Sequence, residues 1–147
     1  VGRKNKDKRL VVIAIEKNKK GATRIYAKRI DRSTKKNLKT FMDENISTNA
    51  SITTDAWSSY RSLEKEMPNL TTEKSTKKGS NFSIMHRVIM GFKSWLRGTH
   101  GHAKHLQYYL DEYCYRYNRN KMKEGIFDNL LNRMLNHQPM PYKTIIS

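Results

Sequence analysis

Acidic residues are scarce in this sequence. Asp and Glu number 13 against 30 Lys and Arg, which leaves a formal net charge of +17 and a pI near 10.1. Such an imbalance favours a polyanionic partner, because each phosphate neutralised by Lys or Arg releases a counterion. Nucleic acid is therefore the leading partner, with a merely soluble basic surface as the plain alternative. The basic residues are spread along the whole chain rather than gathered on one amphipathic helix, which argues against an anionic membrane. Cysteine occurs once, as Cys114. This excludes an internal disulfide framework and any multi-cysteine zinc site, and its place in a helical pattern suits a small core residue. No segment approaches the roughly 18 apolar residues of a membrane span, and no signal peptide opens the chain. A phosphate-binding glycine loop, a dinucleotide fingerprint and a nucleophile elbow are also missing. The expectation is a cytoplasmic, nucleic-acid-facing protein of one-domain length, 147 residues.

Segments rich in secondary-structure signals divide the rest. Val1–Arg9 is polar and basic and reads as a loop. Leu10–Ile15 is a short apolar run rich in β-branched residues, as in a strand buried on both faces. Lys17–Gly21 reads as a turn, and Thr23–Ile30 as a second strand returning in a hairpin. Asp31, Ser33 and Thr34 are helix-start residues, and Leu38, Phe41, Met42 and Ile46 follow at helical spacing. Ser51–Thr54 is a short strand ending at Asp55, Trp57–Glu66 a short helix closed by Pro68, and Leu70–Lys74 one more strand. Lys77–Ser80 is a basic loop. Helices are expected over Ser83–Leu96, His105–Tyr117 and about Lys123–Asn136, each with an apolar face, with Pro139 and Pro141 ending the last. This order of hairpin, helix, strand and helices is a mixed α/β or α+β domain.

Several residues are candidates for chemistry. Asp55 lies where a strand ends, a common site position in α/β sheets, although a helix N-cap aspartate looks the same in sequence. His86 and Lys93 are seven residues apart. At ~100° per residue they lie within about 20° of each other on one helical stripe, near Met90 and Arg97. A histidine there could reach a metal and a lysine a phosphate; a polar boundary stripe is the bland reading. His100, His102 and His105 lack the cysteine or carboxylate partners of a zinc site and suit a DNA-facing loop better. Tyr109, Tyr113 and Tyr117 recur every four residues beside Leu106 and Leu110, a core stripe before a base-stacking platform. Arg116 and Arg119 are better placed for phosphate.

Four motifs then appear in a fixed order: Thr54-Asp55-Ala56-Trp57-Ser58-Ser59-Tyr60; His86-Arg87-Val88 through Lys93-Ser94-Trp95-Leu96; Gly98-Thr99-His100-Gly101; and His105-Leu106-Gln107-Tyr108-Tyr109-Leu110-Asp111-Glu112 with Arg116-Tyr117-Asn118-Arg119. From about Leu10 to Asn132 the chain resembles the ISXO-like group of bacterial insertion-sequence transposases. The resemblance implies a ribonuclease-H-like catalytic domain of the DDE superfamily, with a mixed sheet flanked by helices. It implies two divalent ions, Mg²⁺ or Mn²⁺, that support DNA strand cleavage and strand transfer by in-line attack at phosphorus. Asp55 matches the second acidic residue of the site. His86 falls on the third metal-site position, which varies in the family, and Lys93 on the lysine seven positions later. Arg87, Arg97, His100, Arg116 and Arg119 are the implied DNA contacts.

One departure accompanies the resemblance. The family's first catalytic aspartate, carried on a central strand between the hairpin and Ser51–Thr54, has no counterpart here; Asp7 and Asp31 sit in a polar loop and at a helix start. The chain also opens on Val1-Gly2-Arg3-Lys4 without methionine. The expectation is a partial catalytic domain over 1–147: a basic loop over 1–9, a ribonuclease-H-like core over 10–97 and C-terminal helices over 98–147. Its implied partners are the terminal inverted repeats and target DNA, with homo-oligomers in the transposition complex, in a bacterial cytoplasm beside the nucleoid. The alternatives are an inactive basic remnant that only binds DNA or RNA, and an unrelated RNA-binding protein.

Overall fold

The computed structural model describes residues 9–76 and 79–146. The expected loops over Val1–Arg9 and Lys77–Ser80 therefore lie outside the described residues, apart from Arg9, Gly79 and Ser80. The described chain is mixed α/β. Strands β1 (Leu10–Asn18) and β2 (Gly21–Ile30) form an antiparallel hairpin, followed by helix α1 (Lys35–Asn45). Strand β3 (Ile52–Asp55), helix α2 (Ser58–Glu64) and strand β4 (Leu70–Glu73) make a parallel crossover unit. Helices α3 (Ser83–Thr99), α4 (Leu106–Asn118), α5 (Gly125–Leu135) and α6 (Tyr142–Ile146) complete it. Helix α3 runs on to Thr99, one turn beyond the expected end, and α6 follows the prolines that were expected to end the helical region.

Local chemistry accounts for the boundaries. The turn between β1 and β2 is only Lys19-Lys20, and Gly21 adopts φ +124°, a value open to glycine and strained for other residues. Thr34 caps α1 by accepting the Asn37 N–H on its hydroxyl. The buried side chains of α1, Leu38, Phe41 and Met42, lie on one face, as their spacing requires.

The strands form a middle layer. Val12, Ala14, Tyr26 and Ile30 pack toward α1 in a core that also contains Leu38, Phe41, Met42, Ile52, Leu63 and Leu70. Val11 and Ala27, on the opposite face of the hairpin, pack against Phe92 of α3 and Leu106 and Leu110 of α4. The alternation of β3 places Ile52 and Thr54 inward and leaves Thr53 and Asp55 exposed. The run Leu10–Ile15 is not buried on both faces as expected: only Val12 is fully buried. The reason lies at the strand edges.

Two separate two-stranded sheets are present among the described residues, β1-β2 and β3-β4. Their outer edges are closed by helix side chains. On β2, Asn118 of α4 accepts the Ile25 N–H at 2.7 Å and donates to the Ile25 carbonyl at 2.9 Å, while Gln107 accepts the Arg29 N–H at 2.8 Å. On β4, the Glu64 carboxylate of α2 accepts the Thr72 N–H and hydroxyl, both at 2.9 Å. Among the described residues, the inner edges of β1 and β3 have no such cover. Where β1 begins and β3 ends lies a groove of about 310 Å³, lined by Leu10, Val11 and Val12 from β1, Ile30 from β2, Ser33, Leu38 from α1, Asp55 from β3, and Trp57 and Tyr60. Three consecutive β1 residues line it, so it follows the strand's edge and not one of its faces. An isolated two-stranded sheet is marginal, and an open edge is a template for a further strand.

Candidate functional site

Asp55 is the last residue of β3, at the mouth of this groove. Its carboxylate accepts the Trp57 N–H at 3.4 Å, a local turn contact that ends the strand and leads into α2. Tyr60 sits half-buried nearby; burial, and secondarily the charge of Asp55, raise its pKa above the usual phenol value. In the parallel register Asp55 pairs with Glu73 at the end of β4, which brings two carboxylates to the same face of neighbouring strands. Both are exposed. Glu73 was not singled out from the sequence. The only signal for it was its position at a second strand end, visible once the two strands are known to be parallel and in register.

A tethered loop links this edge to α3. The Asn81 amide donates to Glu73 at 3.4 Å and to the Lys74 carbonyl at 3.1 Å, and its oxygen accepts the Thr76 N–H at 3.2 Å. Gly79 follows at φ +62°, and the His86 ring of α3 lies directly over it: a Cβ on Gly79 would stand 2.5 Å from His86 Nε2. The glycine is required twice, by its left-handed backbone and by the imidazole above it. Lys93 is exposed on α3, two turns beyond His86, with Met90 and Arg97 also exposed on that stripe. The outer face of α3 thus carries His86 and Lys93 as its spacing predicts.

Among the described residues, no three His, Cys, Asp or Glu side chains come together in a way that could hold a metal ion. Asp55 and His86 therefore do not make a complete divalent-ion site by themselves. A hard cation such as Mg²⁺ prefers oxygen donors, and an exposed carboxylate with an imidazole leaves that preference largely unmet.

The expected DNA contacts divide by environment. Arg87 and Arg97 are exposed on α3. Arg116 is exposed and forms an i,i+4 ion pair with Glu112 at 2.9 Å. Arg119 lies 4.3 Å above the Tyr115 ring and donates to Asn129 at 2.9 Å, so it ties α5 to α4. His100 is packed: its ring stacks on Tyr109 with centroids 3.9 Å apart, meets Trp95 edge-on and turns Nε2 toward Glu112 at 3.6 Å. These contacts brace the end of α3 against α4. His102 and His105 are exposed in that loop, and the His102 Nδ1 accepts the Lys104 N–H. Tyr113 lies among Phe92 and Trp95, in keeping with a core role for the tyrosine stripe. Cys114 is half-buried, and burial pushes its thiol up to about 11.

The family model of the ISXO2-like transposase domain matches residues 1–118. The chain belongs to that family. No curated protein and no solved structure matches it. The match takes in the hairpin, the crossover unit, α3 and all of α4, and stops at Asn118, the residue clamped to Ile25. As a transposase domain the chain is a DNA-interacting module with a function in transposition. No helix among its described residues is long and apolar enough to cross a membrane.

Within the transposase domain, several motif residues are structural. Gln107 and Asn118 close the outer edge of β2, and Gln107 also contacts the Ala27 carbonyl and Asp111. Sequence alone could not assign that work, because the partners lie 78 and 93 positions away. The C-terminal helix α5 forms as expected, yet its apolar face is not buried: Phe127 is 66% and Leu135 74% exposed.

Proposed function

We propose that this transposase domain cleaves and transfers DNA strands at insertion-sequence ends through a ribonuclease-H-like site of which Asp55, His86 and Lys93 are the parts present here. The observation that carries this reading is the position of Asp55 at the carboxyl end of β3, at the mouth of a slot flanked by two open strand edges. A single further strand in that slot would join β1-β2 to β3-β4 in one mixed sheet flanked by helices. Its end would bring another acidic side chain beside Asp55. The domain boundaries then follow, with a catalytic core over 10–97 and supporting helices over 98–147.

Asp55 and His86 would hold a divalent ion, Mg²⁺ or Mn²⁺, together with that additional acid. When bound, such an ion activates the attacking water or 3′-hydroxyl and stabilises the leaving oxygen. Lys93, two turns from His86, would meet a phosphate oxygen. Arg87 and Arg97 extend a positive stripe along α3, and Arg116 adds charge on α4. His100 and Arg119 support the same surface from within. The inverted repeats and target DNA are the substrates, held by a homo-oligomer in which ends are paired.

The decisive experiment uses the intact transposase. Asp55→Ala is expected to abolish metal-dependent cleavage at terminal inverted repeats while DNA binding persists. His86→Ala should lower cleavage and shift the Mn²⁺/Mg²⁺ preference, since imidazole is the softer ligand. Wild-type cleavage by the Asp55 variant would sink the site assignment.

The incomplete donor set favours a second reading for the 147-residue chain on its own: a basic DNA-binding remnant without cleavage. Salt-dependent DNA binding with no nicking of supercoiled plasmid in Mg²⁺ or Mn²⁺ supports it, and metal-dependent nicking by this chain refutes it.

A further inference from the structure

The hairpin ends in a concentration of charge that none of the proposed site residues uses. Lys17, Lys19 and Lys20 are exposed around the two-residue turn, and Arg24 is exposed on β2. Glu16 stands opposite Arg24 in the register. The three lysines form no ion pair among the described residues. The segment leaving α4 starts where Asn118 grips Ile25, the chain neighbour of Arg24, and it carries exposed Lys121 and Lys123. Glu16, Asp31 and Glu124 are the acids nearest in sequence to these six cations. Like charges held together repel, and an anionic partner relieves that repulsion.

The support of the tip is firm. The β1-β2 ladder continues to Asn18↔Gly21, with a register shift at Glu16/Lys17 that sharpens the local twist. Asn118 anchors β2 at Ile25, and the Thr23 hydroxyl donates to the Glu16 carbonyl across the ribbon at 3.2 Å. A twisted two-stranded ribbon has the width a DNA groove admits, and lysine ammoniums at its tip can reach phosphates on either rim. Leu10, at the opposite end of β1, lines the groove whose mouth carries Asp55. At about 3.4 Å per residue the tip stands on the order of 25 Å from that mouth.

We infer that the β1-β2 tip is a second contact for the backbone of duplex DNA, remote from the Asp55 end. The inference rests on the DNA-binding reading of the domain and adds to it a place and a form. The tip fixes how the duplex lies across the domain and carries no sequence readout, since phosphate contacts position and base contacts specify.

The test compares three forms of the 147-residue chain by fluorescence anisotropy on a labelled duplex of arbitrary sequence, over a series of NaCl concentrations. One is wild type, one carries Lys17→Gln, Lys19→Gln and Lys20→Gln, and one is a charge-matched control with Lys36→Gln, Lys65→Gln and Lys143→Gln. Circular dichroism checks that the fold is kept. Each lost phosphate contact lowers the log–log salt slope by roughly 0.9, so the tip variant should lose about 2–3 from its slope and about tenfold or more in affinity. The control should lose clearly less of both. A tip variant with the wild-type slope, or a control that loses as much, overturns the inference while leaving DNA binding in place. A wild-type chain that shows no salt-dependent binding to duplex DNA, or binds RNA alone, overturns the DNA reading itself.

Discussion

Asn118 and Ile25, 93 positions apart, exchange two hydrogen bonds: the side-chain amide of one satisfies both backbone groups of the other. Ile25 is only 2% exposed, so neither group has water as a substitute. Asn118→Ala should destabilise the chain by ~1–3 kcal/mol, the usual penalty for buried polar groups left unpaired. Asn118→Asp keeps the acceptor and loses the donor, and should lie between the two. Urea unfolding monitored by tryptophan fluorescence measures both.

The two kinds of apolar helix face should respond in opposite ways. Leu110 is 1% exposed between α3, α4 and the hairpin, and Leu110→Ala should cost about 2–5 kcal/mol. Leu135 is open to solvent, and Leu135→Ala should fall within about 0.5 kcal/mol of wild type. Equal losses in the two unfolding curves would mean that α5 is covered in solution.

Gly79 supports His86 by yielding space to it. Gly79→Ala places a methyl group against the imidazole and a side chain at φ +62°, so the ring must move and the backbone is strained by ~1 kcal/mol. The expected outcome is a shifted His86 resonance in ¹H–¹³C spectra with a modest fall in melting temperature. In the intact transposase, cleavage should drop more than stability does. An unchanged His86 resonance would contradict the packing.

Glu64 gives the fold a pH dependence of known sign. The Thr72 N–H first, and then its hydroxyl, hold the Glu64 pKa below the ordinary 4.5. A carboxyl whose folded pKa is depressed stabilises the fold fully above its unfolded value and loses that contribution as pH falls through the folded one. Melting temperature should therefore decline below about pH 4.5, and Glu64→Ala should flatten that part of the decline.

Cys114 should be a poor nucleophile. Its thiol is held near 11 by burial, so little thiolate exists at pH 8. Reaction with a disulfide reagent should be slow in the native chain and reach completion on unfolding in guanidinium. Fast native reaction would place the thiol at the surface.

Much of the local structure was legible in the chain itself. Periodicity located the hairpin, β3, β4 and α1 to α5 to within a few residues, because side-chain spacing and turn residues act over short distances. The place of Asp55 at a strand end and the shared stripe of His86 and Lys93 followed from the same local geometry. Glu73 escaped notice because its nearness to Asp55 depends on a parallel register set by a crossover through α2. The burial expected of Leu10–Ile15 failed because the start of β1 borders the open groove, and no further strand among the described residues pairs with its free edge.

The sequence by itself determined the charge, the elements and the ordered motifs that place this chain among ISXO2-like transposase domains. Tertiary structure alone decided which strand edges are closed and which stay open. Gln107, Asn118 and Glu64 look like any polar helix residues until the helices dock, and only then do they seal β2 and β4. Hydrogen bonds between residues so far apart depend on the packing of the whole domain, and no local pattern of side chains records them.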